Sequence, residues 1–221
     1  MNLTEQLACE RAHWAARIPA APPALLAGDL DRLRRSELPE RVLKRGERAP
    51  NFRLPDAGGQ WVELDTLRAR GPVVLVFYRG EWCPYCNLEL RAYQQLLPAF
   101  AAAGVTLVAI SPQTPDHSLS TVEKNELAFP VLSDVGSAVA RAYGLAFDLD
   151  DEMQRLYVDF FGNDLARYNG VGDVSGWTLP LPATYLIGHD SRIELASVDV
   201  DYRQRIDPRQ VLDMSSRSAR G

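Results

Sequence analysis

The chain has 221 residues, of which 46% are hydrophobic and 24% charged, and its formal net charge is −5. This length and composition are typical of a globular protein with one sizeable core, and the acidic balance argues against binding to nucleic acid or to an anionic membrane surface. No apolar run approaches the roughly 18 residues that a membrane-spanning helix needs. The N-terminus lacks the charged start and apolar stretch of a secretory signal, so we expect a cytoplasmic location.

Residues 1–45 form the first predicted unit, an N-terminal helical extension. Prolines at positions 19, 22 and 23 divide it into two helical pieces, because proline interrupts a helix. The residues expected to make buried contacts there are Cys9, Trp14, Leu25 and Leu26.

The second predicted unit covers residues 46–214 and alternates strands with helices. It begins with a β-hairpin whose turn lies at residues 56–60. The continuous apolar run Val73–Tyr78 predicts a strand that is buried on both faces, and Val105–Ile110 predicts a second buried strand. Helical spacing and turn residues predict the remaining elements of this part, which are helices over 88–103, 116–125 and 137–143 and a short strand over 130–132.

The C-terminal third begins with an irregular insert at residues 145–180, with a helix predicted over 150–161 and a loop over 162–176. A β-hairpin follows, formed by Ala183–Ile187 and Ile193–Val198. A closing helix is predicted over 208–214 and a disordered tail over 215–221. This order of elements predicts an α/β fold with a central mixed sheet, parallel in the middle and antiparallel at one edge, flanked by helices.

A pair of cysteines, Cys83 and Cys86, lies directly after the first buried strand, where α/β proteins place their sites. Pro84 suits the first position of a helix, which would put Cys83 near the N-cap and Cys86 one turn inside. The positive end of the helix dipole lowers the pKa of a thiol there and favours the nucleophilic thiolate. One cysteine would attack a substrate and the other would close a disulfide.

Two other interpretations of the cysteines are open at this point. The pair could be inert core thiols. Alternatively, Cys9 and His13 lie one helical turn apart and could join Cys83 and Cys86 in a zinc site with three thiolates and one imidazole.

The chain resembles the peroxiredoxin-like branch of the alkyl hydroperoxide reductase and thiol-specific antioxidant family, within the thioredoxin superfamily. The resemblance covers about residues 46–212 and rests on Ala49–Asp56, Phe77–Cys86 and Pro182–Ile187. It implies a thioredoxin-like fold and an antioxidant oxidoreductase. That enzyme would reduce peroxides with its cysteine pair and be recycled by thioredoxin or a glutathione-type thiol. It also implies a homodimer, and no metal or organic cofactor is required.

Two active-site sequence motifs of that superfamily each match these residues in part. Peroxiredoxins use Pro-x-x-x-Thr-x-x-Cys, which would make Cys86 the nucleophile but puts Cys83 at the threonine position and Arg79 at the proline position. Thioredoxins use Trp-Cys-x-x-Cys beside a cis-proline, which matches Trp82–Cys86 and gives Pro182 the proline role. In that pattern Cys83 attacks and Cys86 resolves.

The side chains around the pair are candidate active-site neighbours. Glu81 and Tyr85 could tune a thiol pKa or transfer a proton, and Arg79 could supply positive charge. The neighbours predicted from the sequence are Arg79, Glu81, Trp82, Pro84, Tyr85 and Pro182, with Ser111–Thr114 as a further wall of the pocket. His117 and His189 are expected to be exposed.

The resulting function hypothesis is a thiol-dependent peroxidase that uses the Cys83–Cys86 pair. The first alternative is a thioredoxin-like dithiol–disulfide oxidoreductase without efficient peroxidase activity. The second is a non-catalytic redox sensor or adaptor, in which the N-terminal helices and the 145–180 insert supply a binding surface.

Overall fold

The computed structural model describes residues 1–17 and 21–218, so the predicted break at Pro19 lies outside the described residues. The helices are α1 (Leu3–Arg17), α2 (Ala21–Arg35), α3 (Leu38–Arg41), α4 (Leu64–Arg68), α5 (Pro84–Ala102), α6 (Pro115–Asn125), α7 (Ala138–Ala142), α8 (Asp151–Arg155), α9 (Leu165–Asn169) and α10 (Pro208–Ser218). The strands are β1 (Arg53–Pro55), β2 (Trp61–Glu63), β3 (Val73–Phe77), β4 (Thr106–Ser111), β5 (Val131–Ser133), β6 (Ala146–Asp148), β7 (Thr178–Pro180), β8 (Ala183–Ile187) and β9 (Ile193–Val198). Within the described ranges, no helix is long and apolar enough to cross a membrane.

The central sheet has five strands in the order β5-β4-β3-β8-β9. Strands β3, β4 and β5 are parallel, whereas β8 is antiparallel to β3 and β9 is antiparallel to β8. All five residues of β3 are buried, as expected for the middle of a sheet covered on both faces. The predicted mixed sheet, the β8–β9 hairpin and the β1–β2 hairpin are confirmed.

Helix α1 lies against α5 on one face of the sheet. Leu3 and Leu7 are its buried residues and share one core with Cys83, Cys86 and Leu90. Fully burying a leucine contributes about 1.5–3 kcal/mol, so these two contacts stabilise the packing of this helix against the core that holds the cysteine pair. The extension is therefore part of the packed structure around the candidate site.

The predicted helix-and-loop description of residues 145–180 is wrong in two respects. Strands β6 and β7 form an antiparallel ladder at the two ends of the insert, and α9 lies within the predicted loop. Each strand has only three residues and its partner is distant in sequence, so no local turn signal announces the pairing. Asp150 and Asp164 cap α8 and α9 by accepting hydrogen bonds from Met153 N and Ala166 N.

The last helix is longer than the sequence suggests. It continues to Ser218, so residues 215–218 are helical, and residues 219–221 lie outside the described residues. Ser215 is fully buried, and the hydroxyls of Ser215 and Ser216 donate to the Leu212 carbonyl within the helix. These local hydrogen bonds satisfy the serine hydroxyls. The polar composition that predicted a disordered tail is therefore compatible with a helix.

Candidate active site

The cysteine pair lies at the N-terminus of α5, after the loop that connects this helix to β3. Cys83 is the N-cap of α5 with extended backbone angles, Pro84 follows at the first helical position, and Cys86 lies in the first turn. The predicted local geometry is confirmed. Both thiols are free, and Cys83 and Cys86 are 1% and 0% exposed.

The environment of Cys83 favours its thiolate. Burial acts to raise the pKa of the Cys83 thiol, but a hydrogen bond from Cys86 and the positive charges of Arg79 and Arg205 outweigh burial and lower that pKa to about 6. The same geometry disfavours the thiolate of Cys86. Burial raises the pKa of Cys86 well above its ordinary value, and the thiolate of Cys83 raises it further. The surroundings of the pair therefore favour the thiolate on Cys83 over the thiolate on Cys86.

Arg205 lies in the loop between β9 and α10 and contacts the Cys86 side of the site. Its Nη2 lies 3.5 Å from Cys86 Sγ, and its Nε donates to Glu89 Oε2 at 2.5 Å. The arginine and glutamate side chains are 2% and 0% exposed, so this is a buried ion pair. Burial nevertheless raises the pKa of Glu89 to about 7 despite the neighbouring guanidinium.

Arg79 is the second buried guanidinium, at 4% exposure. It stacks between aromatic rings, 4.3 Å from the centroid of Tyr202 and 4.9 Å from that of Trp82, and its Nη2 donates to the Tyr157 hydroxyl. Its Nε–H and the indole N–H of Trp82 have no hydrogen-bond partner among the described residues. Both atoms are buried, and the side chains of Arg79 and Trp82 line the same cavity as Cys83.

Gly80 allows the Trp82 ring to fold back over the loop. A Cβ at Gly80 would lie 2.3 Å from Trp82 Nε1, closer than any side chain can approach. A glycine is therefore required between Arg79 and the cysteines for the indole to take this position.

A cavity of about 630 Å³ opens above Cys83. Its walls come from α1, α2, the loop before α5, the π-helical turn Leu156–Phe160 that follows α8, and residues 202–203. Cys83, Pro84, Tyr85, Arg79 and Trp82 all line it, and Cys86 does not. The extension and the insert therefore form the roof over the first cysteine of the pair.

Tyr85 contacts the cavity with a buried ring that packs against Tyr202 at 5.8 Å between centroids. Burial raises the pKa of Tyr85 to about 12. The phenol therefore stays protonated at neutral pH, which suits it to hydrogen-bond donation rather than to transferring its proton.

Glu81 lies outside the cavity lining and tethers the loop to α6. Its amide donates to Gln113 Oε1 at 2.9 Å, its carbonyl accepts from Lys124 Nζ at 3.0 Å, and its carboxylate lies 3.3 Å from His117 Nδ1. Among Ser111–Thr114, Gln113 makes this contact, and the segment does not line the cavity above Cys83. The sequence prediction that this segment forms a pocket wall is corrected, because its buried side chains face the loop backbone and α6.

Pro182 does not have the predicted cis bond, since the described residues contain no cis peptide. Leu181 N donates to the Leu145 carbonyl, and β8 begins at Ala183, so the chain runs extended from β7 into β8. A trans bond is the ordinary preference for proline and preserves that path. Pro182 instead lines a smaller cavity of about 260 Å³ together with Glu89 and Arg205.

Cys9 is exposed on α1, so the predicted buried contact is wrong. Its partners in the zinc alternative, Cys83 and Cys86, are buried, and the described residues contain no group of three or more His, Cys, Asp or Glu side chains that could hold a metal ion. His189 lies in the turn between β8 and β9, where its carbonyl accepts from Arg68 Nη1.

Sequence reasoning missed four residues of the site: Glu89, Tyr157, Tyr202 and Arg205. Glu89 had a usable signal, because an acidic residue one turn after Cys86 falls on the same face of α5 as that buried cysteine. The other three come from the insert and from the loop after β9 and share no spacing with the cysteines.

The sequence profile of the AhpC/TSA family matches residues 45–196. Among relatives, the thiol-disulfide oxidoreductase ResA of Bacillus cereus is 30% identical over 107 residues, covering 48% of this chain and 61% of that protein. A Mycobacterium tuberculosis protein named as a peroxiredoxin is 36% identical over 99 residues, covering 45% of this chain and 62% of that protein. The match thus spans less than two thirds of each relative.

Solved structures agree in fold. The crystal structure of peroxidoxin BcpB from Mycobacterium tuberculosis superposes with a TM-score of 0.62 at 23% sequence identity, covering 81% of this chain and 99% of that one. The likeness confirms the thioredoxin-like α/β fold that the sequence predicted.

Proposed function

This chain belongs to the AhpC/TSA family, and we propose that it is a thiol-dependent peroxidase in which Cys83 attacks the peroxide and Cys86 resolves the product. The observation that carries the proposal is the position of Cys83 under the cavity roof, 1% exposed and lining the same cavity as the buried Arg79. A small hydroperoxide fits such a space. A folded protein, whether a disulfide substrate or a reductant such as thioredoxin, would need α1 and α2 to move before it reached the buried cysteine pair.

The proposed reaction follows from the thiol pKa values and the positive charge of Arg79. The Cys83 thiolate attacks the terminal oxygen of R–O–O–H, the O–O bond breaks, and Cys83 becomes a sulfenic acid. The departing RO⁻ takes a proton and leaves as the alcohol. Arg79, which lines the cavity together with Cys83, is the group proposed to stabilise the negative charge on the departing oxygen.

Cys86 completes the cycle by attacking the Cys83 sulfenic acid. A sulfur–sulfur bond forms and water leaves, so one peroxide and two thiols give one alcohol, one water and one disulfide. The adjacent carboxylate of Glu89, with its raised pKa and its unpartnered Oε1, is suited to accept the Cys86 proton. Two further thiols must then reduce the disulfide. We propose thioredoxin or a glutathione-type thiol as their source.

Three parts of the proposal rest on the resemblance and on composition. The enzyme acts in the cytoplasm, it forms a homodimer, and it binds neither nucleic acid nor membrane. No metal or organic cofactor takes part in the proposed steps.

A second candidate is a dithiol–disulfide oxidoreductase. The specific observation in its favour is the low pKa of Cys83 in the sequence Trp82–Cys86, which suits attack on a disulfide as well as on a peroxide. The relative named as a thiol-disulfide oxidoreductase gives this candidate further support.

Turnover against two substrates separates these candidates. The protein is assayed with thioredoxin, thioredoxin reductase and NADPH, first with an organic hydroperoxide and then with insulin, whose disulfides report reductase activity. We expect sustained NADPH consumption with the hydroperoxide, abolished by Cys83→Ser, and little with insulin. Turnover with insulin alone would replace the peroxidase by the reductase. A single oxidation without turnover would leave the sensor alternative.

A further inference from the structure

The guanidinium of Arg79 is held at the site by groups from three different segments. Its central carbon lies 4.9 Å from the ring centroid of Trp82 in its own loop and 4.3 Å from that of Tyr202, which follows β9. Its Nη2 donates to the hydroxyl of Tyr157, whose ring centroid lies 5.7 Å from the same carbon. Because Arg79 is buried, these contacts replace most of the water that would otherwise solvate the charge.

The Tyr157 hydroxyl fixes something that the rings of Trp82 and Tyr202 do not. An aromatic face attracts a guanidinium stacked over it but leaves the planar group free to turn about the stacking axis. A hydrogen bond from one nitrogen to a fixed oxygen removes that rotation and so decides where the other N–H groups of the fork point. Tyr157 is therefore the contact that sets the direction of the Arg79 fork.

Tyr157 is anchored in the insert rather than in the cysteine loop. It lies in the π-helical turn, where its side chain is buried while Val158 and Phe160 are exposed. Turns of this kind interrupt regular helices and are frequent at functional sites. The residues that form a small hydrophobic core with Tyr157 are Leu149, Met153, Leu156, Leu165 and Leu179. The packing of the insert thus fixes the position of the hydroxyl that Arg79 contacts.

Several ionisable groups face Cys83, and Arg79 is one of two cations that act on its pKa. Burial acts to raise the pKa of the Cys83 thiol, whereas a hydrogen bond from Cys86 and the charges of Arg79 and Arg205 lower it. Burial raises the pKa values of Tyr85 and Tyr202, so both phenols are uncharged at neutral pH. The other charged groups of the segments packed around the site are Glu10, Arg11 and Arg17 of α1, Asp29 of α2, Glu89 of α5, and Asp201 and Arg203 after β9.

Most of these surrounding charges have partners of their own. The Glu10 carboxylate accepts from the Trp14 indole, Asp29 pairs with Arg32, Asp201 pairs with Arg203, and Glu89 pairs with Arg205. Among the described residues, Arg79 is the cation that donates to the Tyr157 hydroxyl. A change at that hydroxyl therefore acts first on Arg79.

We propose that Tyr157 is a positioning residue of the thiol site, whose hydroxyl directs the Arg79 guanidinium so that its charge stays at Cys83. For the reaction itself the proposal rests on the peroxidase function proposed above, whereas the effect on the Cys83 thiolate requires no peroxide. The 145–180 insert thereby contributes to the chemistry of the cysteine pair through Arg79.

A double-mutant cycle between Tyr157 and Arg79 tests the proposal without peroxide. Tyr157→Phe, Arg79→Gln and the double variant are prepared in the Cys9→Ala background, and the pH midpoint of Cys83 alkylation by iodoacetamide is measured. Tyr157→Phe keeps the ring that packs against Trp82 at 5.3 Å between centroids and removes the acceptor. Because the fork then turns towards water in the cavity, we expect the midpoint to rise by about 0.5 unit or more. Adding Tyr157→Phe to Arg79→Gln should produce no further rise.

Tyr168→Phe is the matched control, since it removes a hydroxyl from α9 of the same insert, where the ring packs against His117 at 4.7 Å between centroids. It should leave the midpoint unchanged. An unchanged or lowered midpoint in Tyr157→Phe would overturn the proposal. So would an equal rise from Tyr157→Phe with and without Arg79, because a purely structural role does not depend on that guanidinium.

Peroxide kinetics separate this proposal from the function on which it rests. Well above the Cys83 midpoint, the rate constant for oxidation by hydrogen peroxide should fall about tenfold in Tyr157→Phe, as expected when a hydrogen bond to a charged group is lost. The same substitution should have little effect once Arg79 is replaced by Gln. If peroxide oxidises none of the proteins but the alkylation cycle shows coupling, the peroxidase function fails and the positioning role stands. If Tyr157→Phe matches the parent protein in both the alkylation midpoint and a rapid peroxide reaction, the peroxidase stands and the positioning role fails.

Discussion

At the scale of single residues, the two cysteines differ although they lie only three positions apart. Cys83 faces the cavity with two guanidiniums nearby, and Cys86 is enclosed and donates its hydrogen bond to the Cys83 sulfur. These surroundings therefore favour the first negative charge on Cys83. This asymmetry favours the thioredoxin-type assignment of roles, even though the family profile is that of AhpC/TSA proteins.

The pH dependence of Cys83 reactivity tests this assignment. The folded-state pKa of Cys83 lies below that of a free thiol, so the thiolate is present above about 6 and is lost as the pH falls through that value. Alkylation by iodoacetamide should follow this curve. Arg79→Gln should move the midpoint upward by about one pKa unit or more, the usual effect of removing a nearby opposite charge.

This measurement needs the Cys9→Ala background, because Cys9 is exposed and would react as well. Peptide mass spectrometry assigns the adduct to Cys83. Arg167→Gln removes an arginine whose side chain is 84% exposed and should not move the midpoint. An unchanged midpoint in Arg79→Gln would show that the buried guanidinium does not stabilise the thiolate.

At the scale of elements, the site is held together by contacts between segments that are distant in the chain. The loop between β9 and α10 is tied to α5 through the buried Arg205–Glu89 pair. Removing one partner of such a pair leaves an uncompensated buried charge. Arg205→Gln should therefore lower the free energy of unfolding by about 3–5 kcal/mol.

The ionisation of Glu89 determines how the stability loss in Arg205→Gln depends on pH. Burial already raises its pKa to about 7 with Arg205 present, and losing Arg205 would raise it further. Between its unfolded and folded pKa values, the folded state holds a proton that the unfolded state releases, so stability falls as the pH rises. Urea denaturation should show a larger loss for Arg205→Gln at about pH 8 than at about pH 5.

Arg203→Gln is the matched control in the same loop. Its partner is Asp201, and the arginine side chain is 33% exposed, so the loss should stay near 1 kcal/mol or below. Equal losses for Arg203→Gln and Arg205→Gln, or a loss for Arg205→Gln that does not grow with pH, would contradict the buried-pair account.

The regular elements of the fold could be predicted because their signals are local. The apolar run of β3, the Pro84 start of α5 and the β8–β9 hairpin each lie within a few consecutive residues. Strands β6 and β7 and the contact of Arg205 with Cys86 depend on pairing between distant segments. Such pairing is decided by tertiary packing, and spacing along the chain does not encode it.

At the scale of the whole molecule, the thioredoxin-like sheet positions the cysteines, and the segments around it decide what can reach them. Helices α1 and α2, the π-helical turn and the loop after β9 enclose Cys83 from different directions. Among the described residues, Cys83 lines the cavity that these segments form. This organisation is consistent with the small hydroperoxide proposed above as substrate.

The most direct test of the account identifies the sulfur that hydrogen peroxide oxidises first. Reduced Cys9→Ala,Cys86→Ser and Cys9→Ala,Cys83→Ser proteins are mixed with limiting peroxide and with dimedone, which traps sulfenic acids, and the adducts are located by mass spectrometry. We predict rapid labelling at Cys83 in the first protein and only slow labelling at Cys86 in the second. Rapid oxidation of Cys86 with an unreactive Cys83 would reverse the two roles and contradict the account.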